Sequence, residues 1–156
     1  EKKGLSILRE VAARRPDVAF LLAGDGPIRP ASWGLANVHD LGRQSPAQLA
    51  ALYRSVDCLL LPSVGEGYPL VIQEAMACGL PVICGAPTHL ADPEAGQWLR
   101  GVAVDLGDPA AGAARVAAML DAPPPTMAER AGMAAWAAAR YSWDAMARSI
   151  LALASE

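Results

Sequence analysis

The sequence predicts an α/β fold in which a parallel sheet lies between helices. Short apolar runs of strand length, such as residues 18–23 and 58–61, alternate with longer helical patterns. Glycine and proline punctuate these segments at their ends, as in residues 79–81. Strands that alternate with helices favour a parallel sheet, because each crossover helix returns the chain to the same edge. We therefore expect a Rossmann-like, doubly wound parallel sheet with helices on both faces.

Composition indicates one domain and excludes some partners. A chain of 156 residues is long enough to bury a core. Because 53% of the residues are hydrophobic but only 5% are aromatic, that core must consist mainly of Ala, Leu and Val. The net charge is −3 and no basic cluster is evident, so nucleic acid is excluded as the primary partner.

Cysteine usage and the absence of targeting patterns bear on localisation. Cys58, Cys78 and Cys84 lie in apolar segments without metal-ligand spacing, which indicates buried thiols of a cytoplasmic protein. The chain contains neither a signal-peptide pattern nor an apolar run long enough for a transmembrane segment. We expect a cytoplasmic protein, in which any contact with the inner membrane surface comes through a part outside this chain.

The elements are predicted from apolar periodicity and cap residues. The predicted strands cover residues 18–23, 37–42, 58–61, 81–84 and 101–104. The predicted helices cover residues 5–15, 46–55, 70–78, 109–120, 127–140 and 143–153. The first helix has an apolar face formed by Leu5, Leu8, Val11 and Ala12, and residues 85–94 are expected to form a loop. A doubly wound domain normally has a strand before its first helix, so we expect this chain to be a fragment that lacks that strand.

The loop before the helix at residues 70–78 is the best candidate for a binding site. Ligands of parallel sheets bind beyond the carboxyl ends of the strands, where helix N-termini present free amides. Pro69 stands at the expected first helical position, and Glu66 lies just before it. Glu74 is about 7–8 Å along the helix at ~1.5 Å per residue, and its side chain leans back toward the same opening. The two carboxylates can hold hydroxyl groups at two ends of one ligand. In the simpler alternative, Glu66 complements the helix dipole and Glu74 is solvated.

The pattern PSxxEGYPLVxxEAMAxGLPVI spans this site, with Glu66 and Glu74 separated by seven residues. It resembles the signature of the family-4 (group 1) retaining glycosyltransferases, which have the two-domain GT-B fold. The resemblance implies that residues 1–156 are the C-terminal nucleotide-sugar-binding domain, one half of that fold, without the N-terminal acceptor domain. It also implies that Glu66 is the catalytic residue that contacts the donor sugar and that Glu74 holds the ribose. By the same resemblance, the diphosphate is contacted by the backbone around Gly67, Tyr68, Leu70 and Val71.

Other parts of the chain extend the resemblance. Lys3 matches a lysine that reaches the donor diphosphate, although its arginine partner would lie upstream of Glu1. The turn formed by Gly24 and Gly26 matches one close to the nucleotide, and Arg43 lies where a loop contacts the base. Trp143 matches an aromatic residue ahead of a C-terminal helix that packs toward the other domain. Simpler interpretations stay open: a solvated lysine, glycines that end a strand, and a tryptophan of the core.

The resemblance implies transfer of a hexosyl group from a nucleoside-diphosphate sugar to an acceptor, with retention of configuration. No cofactor is implied, and no metal is expected, because no Asp-x-Asp pair stands at a strand end. The isolated chain is expected to bind donor but to transfer no sugar. Two alternatives stay open: a nucleotide-sugar epimerase of the same fold, and a non-catalytic nucleotide-binding module.

Overall fold

The computed structural model describes residues 3–65 and 67–154, and these residues form the expected α/β fold. Glu66 lies outside the described residues. The strands are β1 (Phe20–Ala23), β2 (Val38–Gly42), β3 (Leu59–Leu61), β4 (Val82–Gly85) and β5 (Leu99–Val102). The helices are α1 (Leu5–Arg14), α2 (Pro46–Ser55), α3 (Leu70–Ala77), α4 (Ala86–Leu90), α5 (Pro109–Met119), α6 (Met127–Tyr141) and α7 (Trp143–Leu153).

All strand pairs are parallel. β1 pairs with β2, and β4 lies between β3 and β5, so hydrogen bonding divides the strands into a sheet of two and a sheet of three. The two sheets nevertheless share one hydrophobic layer, because Phe20 of β1 packs in the same cluster as Ile83 of β4 and Val102 of β5. In each sheet, the parallel arrangement places the carboxyl ends of the strands at one edge.

Helices cover both faces of the three-stranded sheet, because the side chains of β4 alternate between two cores. Ile83 joins the cluster of α1 and α5, whereas Val82 and Cys84 join the cluster of α2, α3 and α6. The first cluster contains Ile7, Val11, Ala12, Phe20, Ile83, Val102, Ala113 and Val116. The doubly wound arrangement predicted from the sequence is therefore confirmed. In the described part of the chain, every helix is too short or too polar to cross a lipid bilayer.

The ends of α3 follow its glycine and proline. Gly79 ends the helix as predicted, with φ 69°, and the Leu80 amide bonds back to the Ala75 carbonyl at 2.9 Å. This 6→1 bond belongs to a Schellman motif, in which a glycine with positive φ is favoured. Pro69 is the N-cap instead of the first helical residue, because its ψ of 143° is extended.

Three other expectations need correction. Residues 86–90 form the short helix α4 instead of a loop, since Ala86 and Pro87 suit a first helical turn. The last strand runs from Leu99 to Val102, two residues earlier than predicted, because buried Leu99 pairs with Val82 at the start of β4. On α1, Ile7 is fully buried and was missed as a core residue.

The exposure of Trp143 and of the cysteines also differs from simple expectations. Trp143 is 83% exposed, so it is not a core tryptophan. Cys84 is buried as predicted, whereas Cys58 and Cys78 are half-buried. Burial raises the pKa of the Cys58 and Cys84 thiols to about 11, which keeps both protonated at neutral pH.

Candidate functional site

Two glycines pack closely against the backbone just after β3, at Pro62 and Ser63. Gly4 lies so close to the carbonyl oxygen of Pro62 that a Cβ would collide with it, and its φ of 69° also favours glycine. Gly85 lies equally close to the carbonyl oxygen of Ser63. Gly4 is the N-cap of α1 and Gly85 is the N-cap of α4. These contacts therefore bring the starts of two helices to the end of β3.

The helices that begin at this end of β3 have no side-chain cap. The N-caps of α1, α3 and α4 are Gly4, Pro69 and Gly85, and none makes a side-chain cap hydrogen bond. The remaining helices α2, α5, α6 and α7 are all capped, by Ser45, Asp108, Thr126 and Ser142. Amides in a first helical turn lack acceptors within the helix and carry partial positive charge. The end of β3 therefore has the chemistry to hold an anion.

The start of α3 is open to solvent. Leu70 is 70% exposed, and Val71 behind it is half-buried. Gly67 is exposed, and a Cβ placed on it would meet no atom of the described residues within 4 Å. Tyr68 is half-buried, and its hydroxyl donates to Sδ of Met76 at 3.2 Å. The structure thus gathers Gly67, Tyr68, Leu70 and Val71 at one helix start.

The Glu74 side chain is exposed on α3 and accepts a hydrogen bond from a buried tyrosine. The Tyr53 hydroxyl donates to Glu74 Oε2 at 3.2 Å, and Tyr53 is only 8% exposed. Burial and, secondarily, the Glu74 charge raise the pKa of Tyr53 to about 12, so Tyr53 is a donor at neutral pH. Sequence reasoning missed Tyr53 as a residue of the site. The signal that could have found it is a hydroxyl on a buried helix face, since such groups usually need a partner.

A second group of predicted residues meets where β1 and β2 end. The Gly24 amide donates to the Gly42 carbonyl at 2.8 Å. Arg43 is 85% exposed, and its Nη2 lies 3.8 Å from Oδ2 of Asp25, the residue between Gly24 and Gly26. A Cβ on Gly26 would meet no described atom within 4 Å. Gly24, Gly26 and Arg43 therefore lie together where β1 and β2 end.

A cavity of about 480 Å³ lies beside the start of α1, and its walls do not include the predicted residues. Its walls include Leu5 and Ser6, which follow Gly4, and Ile28, which follows the Gly24–Gly26 turn. Leu106 and Gly107, beyond the end of β5, complete it. Lys3 is exposed and immediately precedes Gly4, so it belongs to the same region. The cavity indicates that the loops after β1 and β5 face the start of α1.

Two further observations concern a second cavity and metal ligands. A smaller cavity of about 200 Å³ includes Pro81 and Leu99, which lie at the amino ends of β4 and β5, away from the predicted residues. Among residues 3–65 and 67–154, no group of three His, Cys, Asp or Glu side chains is arranged to hold a metal ion.

Comparison with known proteins identifies the family. Residues 3–122 match the family described as glycosyl transferases group 1. A protein of Segniliparus rotundus named D-inositol 3-phosphate glycosyltransferase is 36% identical, over 95% of this chain and 35% of its own length. Proteins of the same name from Mycolicibacterium paratuberculosis and Thermobispora bispora are 32% and 35% identical, over 96% and 86% of this chain.

These relatives are longer than the chain described here, which spans 36% of the Mycolicibacterium paratuberculosis protein and 33% of the Thermobispora bispora protein. The match nevertheless covers most of this chain, and it includes both the strand–loop–helix unit around α3 and the glycine turn after β1. The chain therefore belongs to the group 1 glycosyltransferases.

Proposed function

We propose that this chain is the donor-binding half of a glycosyltransferase and that it holds a nucleoside-diphosphate sugar at the end of β3. The observation that carries the proposal is the cluster of uncapped helix starts around Gly4, Pro69 and Gly85. These amides have no acceptor within their helices, and the oxygens of a diphosphate supply negatively charged acceptors for them. The open space at Gly26 and Gly67, which no described neighbour fills, supports the approach of a ligand.

Each predicted residue has a role in this proposal. The amides of Leu70 and Val71 face the diphosphate, with the backbone of Gly67 and Tyr68 beside them. The Lys3 ammonium adds positive charge near the same phosphates. Glu74, oriented by the Tyr53 hydroxyl, accepts hydrogen bonds from the ribose hydroxyls. Glu66 contacts the hydroxyls of the sugar, and the Gly24–Gly26 turn and Arg43 lie by the nucleotide and its base.

The proposed chemistry relies on positioning and charge. The protein orients the donor and stabilises the negative charge that develops on the departing diphosphate. We propose retention of the anomeric configuration, with the departing diphosphate taking the proton of the acceptor hydroxyl. Helix amides and Lys3 meet the phosphate charge, so we propose that neither a metal ion nor a cofactor is required.

The alternatives are less well supported. The similar proteins carry the name of a glycosyltransferase, which favours sugar transfer over epimerisation. Their name also makes D-inositol 3-phosphate one acceptor to test. That test needs a longer protein that includes the part that matches the other two thirds of these relatives. We propose that the acceptor is bound mainly by that part, so this chain binds donor alone and transfers no sugar.

The test begins with a thermal-shift screen of UDP-, GDP- and ADP-sugars, since a ligand that binds the folded state raises apparent stability. Calorimetry on Glu74→Ala and Glu66→Ala then separates the two carboxylates. Glu74→Ala should weaken binding of the bare nucleoside diphosphate, whereas Glu66→Ala should mainly weaken discrimination for the sugar. Glu10→Ala on α1 removes the same charge away from the site and controls for long-range electrostatics. Wild-type binding of both ligands by both site variants would contradict the assignment.

A further inference from the structure

Tyr68, in the loop before α3, is linked to the last turn of α6 by its aromatic ring. The Tyr68 and Tyr141 ring centroids are 5.6 Å apart, with an angle of 38° between the planes. Burial raises the pKa of Tyr141, so its hydroxyl keeps its proton at neutral pH. Tyr68 therefore has a specific neighbour that lies outside its own loop.

Tyr141 is itself held by a carboxylate. Its hydroxyl donates to Oδ2 of Asp92 at 2.8 Å, and the Asp92 side chain is only 12% exposed. Arg140 donates to both oxygens of Asp92, from Nε and Nη2, each at 3.2 Å. The backbone amide of Glu94 donates to Oδ1 of Asp92, also at 3.2 Å. Asp92 is thus a fixed acceptor that joins the segment after α4 to the end of α6.

Aromatic contacts also fix the position of the Tyr141 ring. The Arg140 guanidinium lies 5.5 Å from the centre of the Trp136 ring. That ring meets the Tyr141 ring edge-on, with the centroids 5.5 Å apart. The Tyr141 ring is therefore packed against Trp136 and Tyr68 while its hydroxyl is bonded to Asp92. Few rotamers satisfy all these contacts together, so the position of Tyr141 is well determined.

The backbone at Tyr68 lies outside any helix or strand. Gly67 and Tyr68 precede the first turn of α3, and no side chain caps that helix. Tyr68 is fixed by its side chain, which packs against the core cluster that includes Met76, stacks on the Tyr141 ring and donates its hydroxyl to Met76. A shift of Tyr68 would move the amides at the start of α3, because only Pro69 separates them.

We propose that Tyr141, held by Asp92, is a positioning residue that fixes Tyr68 and thereby keeps the amides at the start of α3 aligned for the donor diphosphate. The inference rests on the proposed function of that loop. It gives the end of α6, which sequence reasoning treated only as a helix terminus, a part in donor binding. Tyr141 does not touch the donor in this proposal.

The experiment uses Tyr141→Phe, which keeps the ring and removes the hydroxyl. We expect the affinity for the nucleoside diphosphate that wild type binds best, among UDP, GDP and ADP, to fall roughly 3- to 10-fold. In a Tyr68→Ala background the same substitution should have no further effect, because Tyr141 acts through Tyr68. Arg130→Met is the matched control at the other end of α6, where it removes a 2.8 Å bond to the Gly79 carbonyl. It should lower the unfolding temperature without changing the affinity.

Hydrogen exchange of the ligand-free chain provides a readout that does not depend on the donor. The amides of residues 67, 68, 70 and 71 should exchange faster in Tyr141→Phe than in wild type, and at the wild-type rate in Arg130→Met. If wild type bound no nucleoside diphosphate, the proposed function would fail, and faster exchange would still support the positioning of the loop. Unchanged exchange, or faster exchange with unchanged affinity, would overturn the proposal.

Discussion

The hydroxyl of Tyr53 lies 3.2 Å from Oε2 of Glu74, so a buried residue of α2 holds a carboxylate on the exposed side of α3. The burial of Tyr53 makes this hydrogen bond hard for water to replace. The orientation of Glu74 is therefore determined before any ligand arrives, which lowers the cost of ordering its side chain on binding.

Tyr53→Phe should weaken nucleoside-diphosphate binding because Glu74 then loses its orienting donor. A hydrogen bond to a charged group is worth about 1.5–3 kcal/mol, so we expect roughly a 10-fold loss where part of that energy is expressed in binding. Calorimetry measures the change. In a Glu74→Ala background the substitution should have almost no further effect. Ser55→Ala, which removes a hydroxyl bonded to the Leu52 carbonyl on the same helix, is the control. An equal loss in that control would indicate a general effect on α2.

Donor binding should not depend on a divalent ion. The positive ends of α1 and α3, together with Lys3, can meet the phosphate charge without a metal. Titration of the nucleotide sugar in excess chelator should give the same affinity as titration without chelator. A large loss of affinity that magnesium or manganese restores would refute this prediction.

Asp92 should make the fold sensitive to acid. Burial alone would raise its pKa, but the hydrogen bonds from Tyr141 and Arg140 outweigh burial and lower the pKa below the ordinary value of 3.8. A lowered pKa stabilises the folded chain above pH 3.8, and this contribution disappears as the pH falls through the folded-state pKa. Asp92→Asn has no carboxylate at this position, so its stability lacks this pH-dependent contribution. The unfolding free energies of the two proteins should therefore differ most near neutral pH and converge as the pH falls below 3.8 in urea titrations. Parallel curves would contradict the assignment.

Local chemistry explains how much of the fold the sequence could predict. Caps such as Ser45 and Thr126 act within one helical turn, since each accepts a hydrogen bond from the amide of the third residue of its own helix. The end of α3 at Gly79 is also local, because the positive φ of that glycine allows the Leu80 amide to bond back to the Ala75 carbonyl. The start of β5 is not local: Leu99 pairs with Val82, and nothing within residues 99–104 indicates that register.

The candidate site divides in the same way. The positions of Gly67, Leu70 and Val71 follow from a pattern that is continuous in the sequence. Tyr53 and Tyr141 are 21 and 73 residues from their partners Glu74 and Tyr68, and only the folded chain brings each pair together. Sequence periodicity assigns such residues to a packing face, but it cannot say which side chain lies opposite.

The final prediction separates glycines required by the fold from glycines required by a ligand. A Cβ on Gly26 or Gly67 meets no described atom within 4 Å, and neither residue is among the glycines with positive φ. Gly26→Ala and Gly67→Ala should therefore leave the unfolding temperature unchanged or slightly raised, since alanine restricts the unfolded chain. Both should nevertheless weaken nucleotide-sugar binding, because the methyl group occupies space that the ligand approaches.

Gly79→Ala, at the far end of α3 from the proposed site, is the matched control for these two variants, because its Cβ would lie 2.9 Å from the Arg130 carbonyl oxygen and its φ is 69°. It should lower stability by more than about 1 kcal/mol, as expected for overpacking in a well-packed region. Differential scanning calorimetry and donor titration on all three variants make the comparison. If Gly26→Ala and Gly67→Ala lost stability but bound donor normally, these glycines would serve the fold, and the open space beside them would have no part in binding.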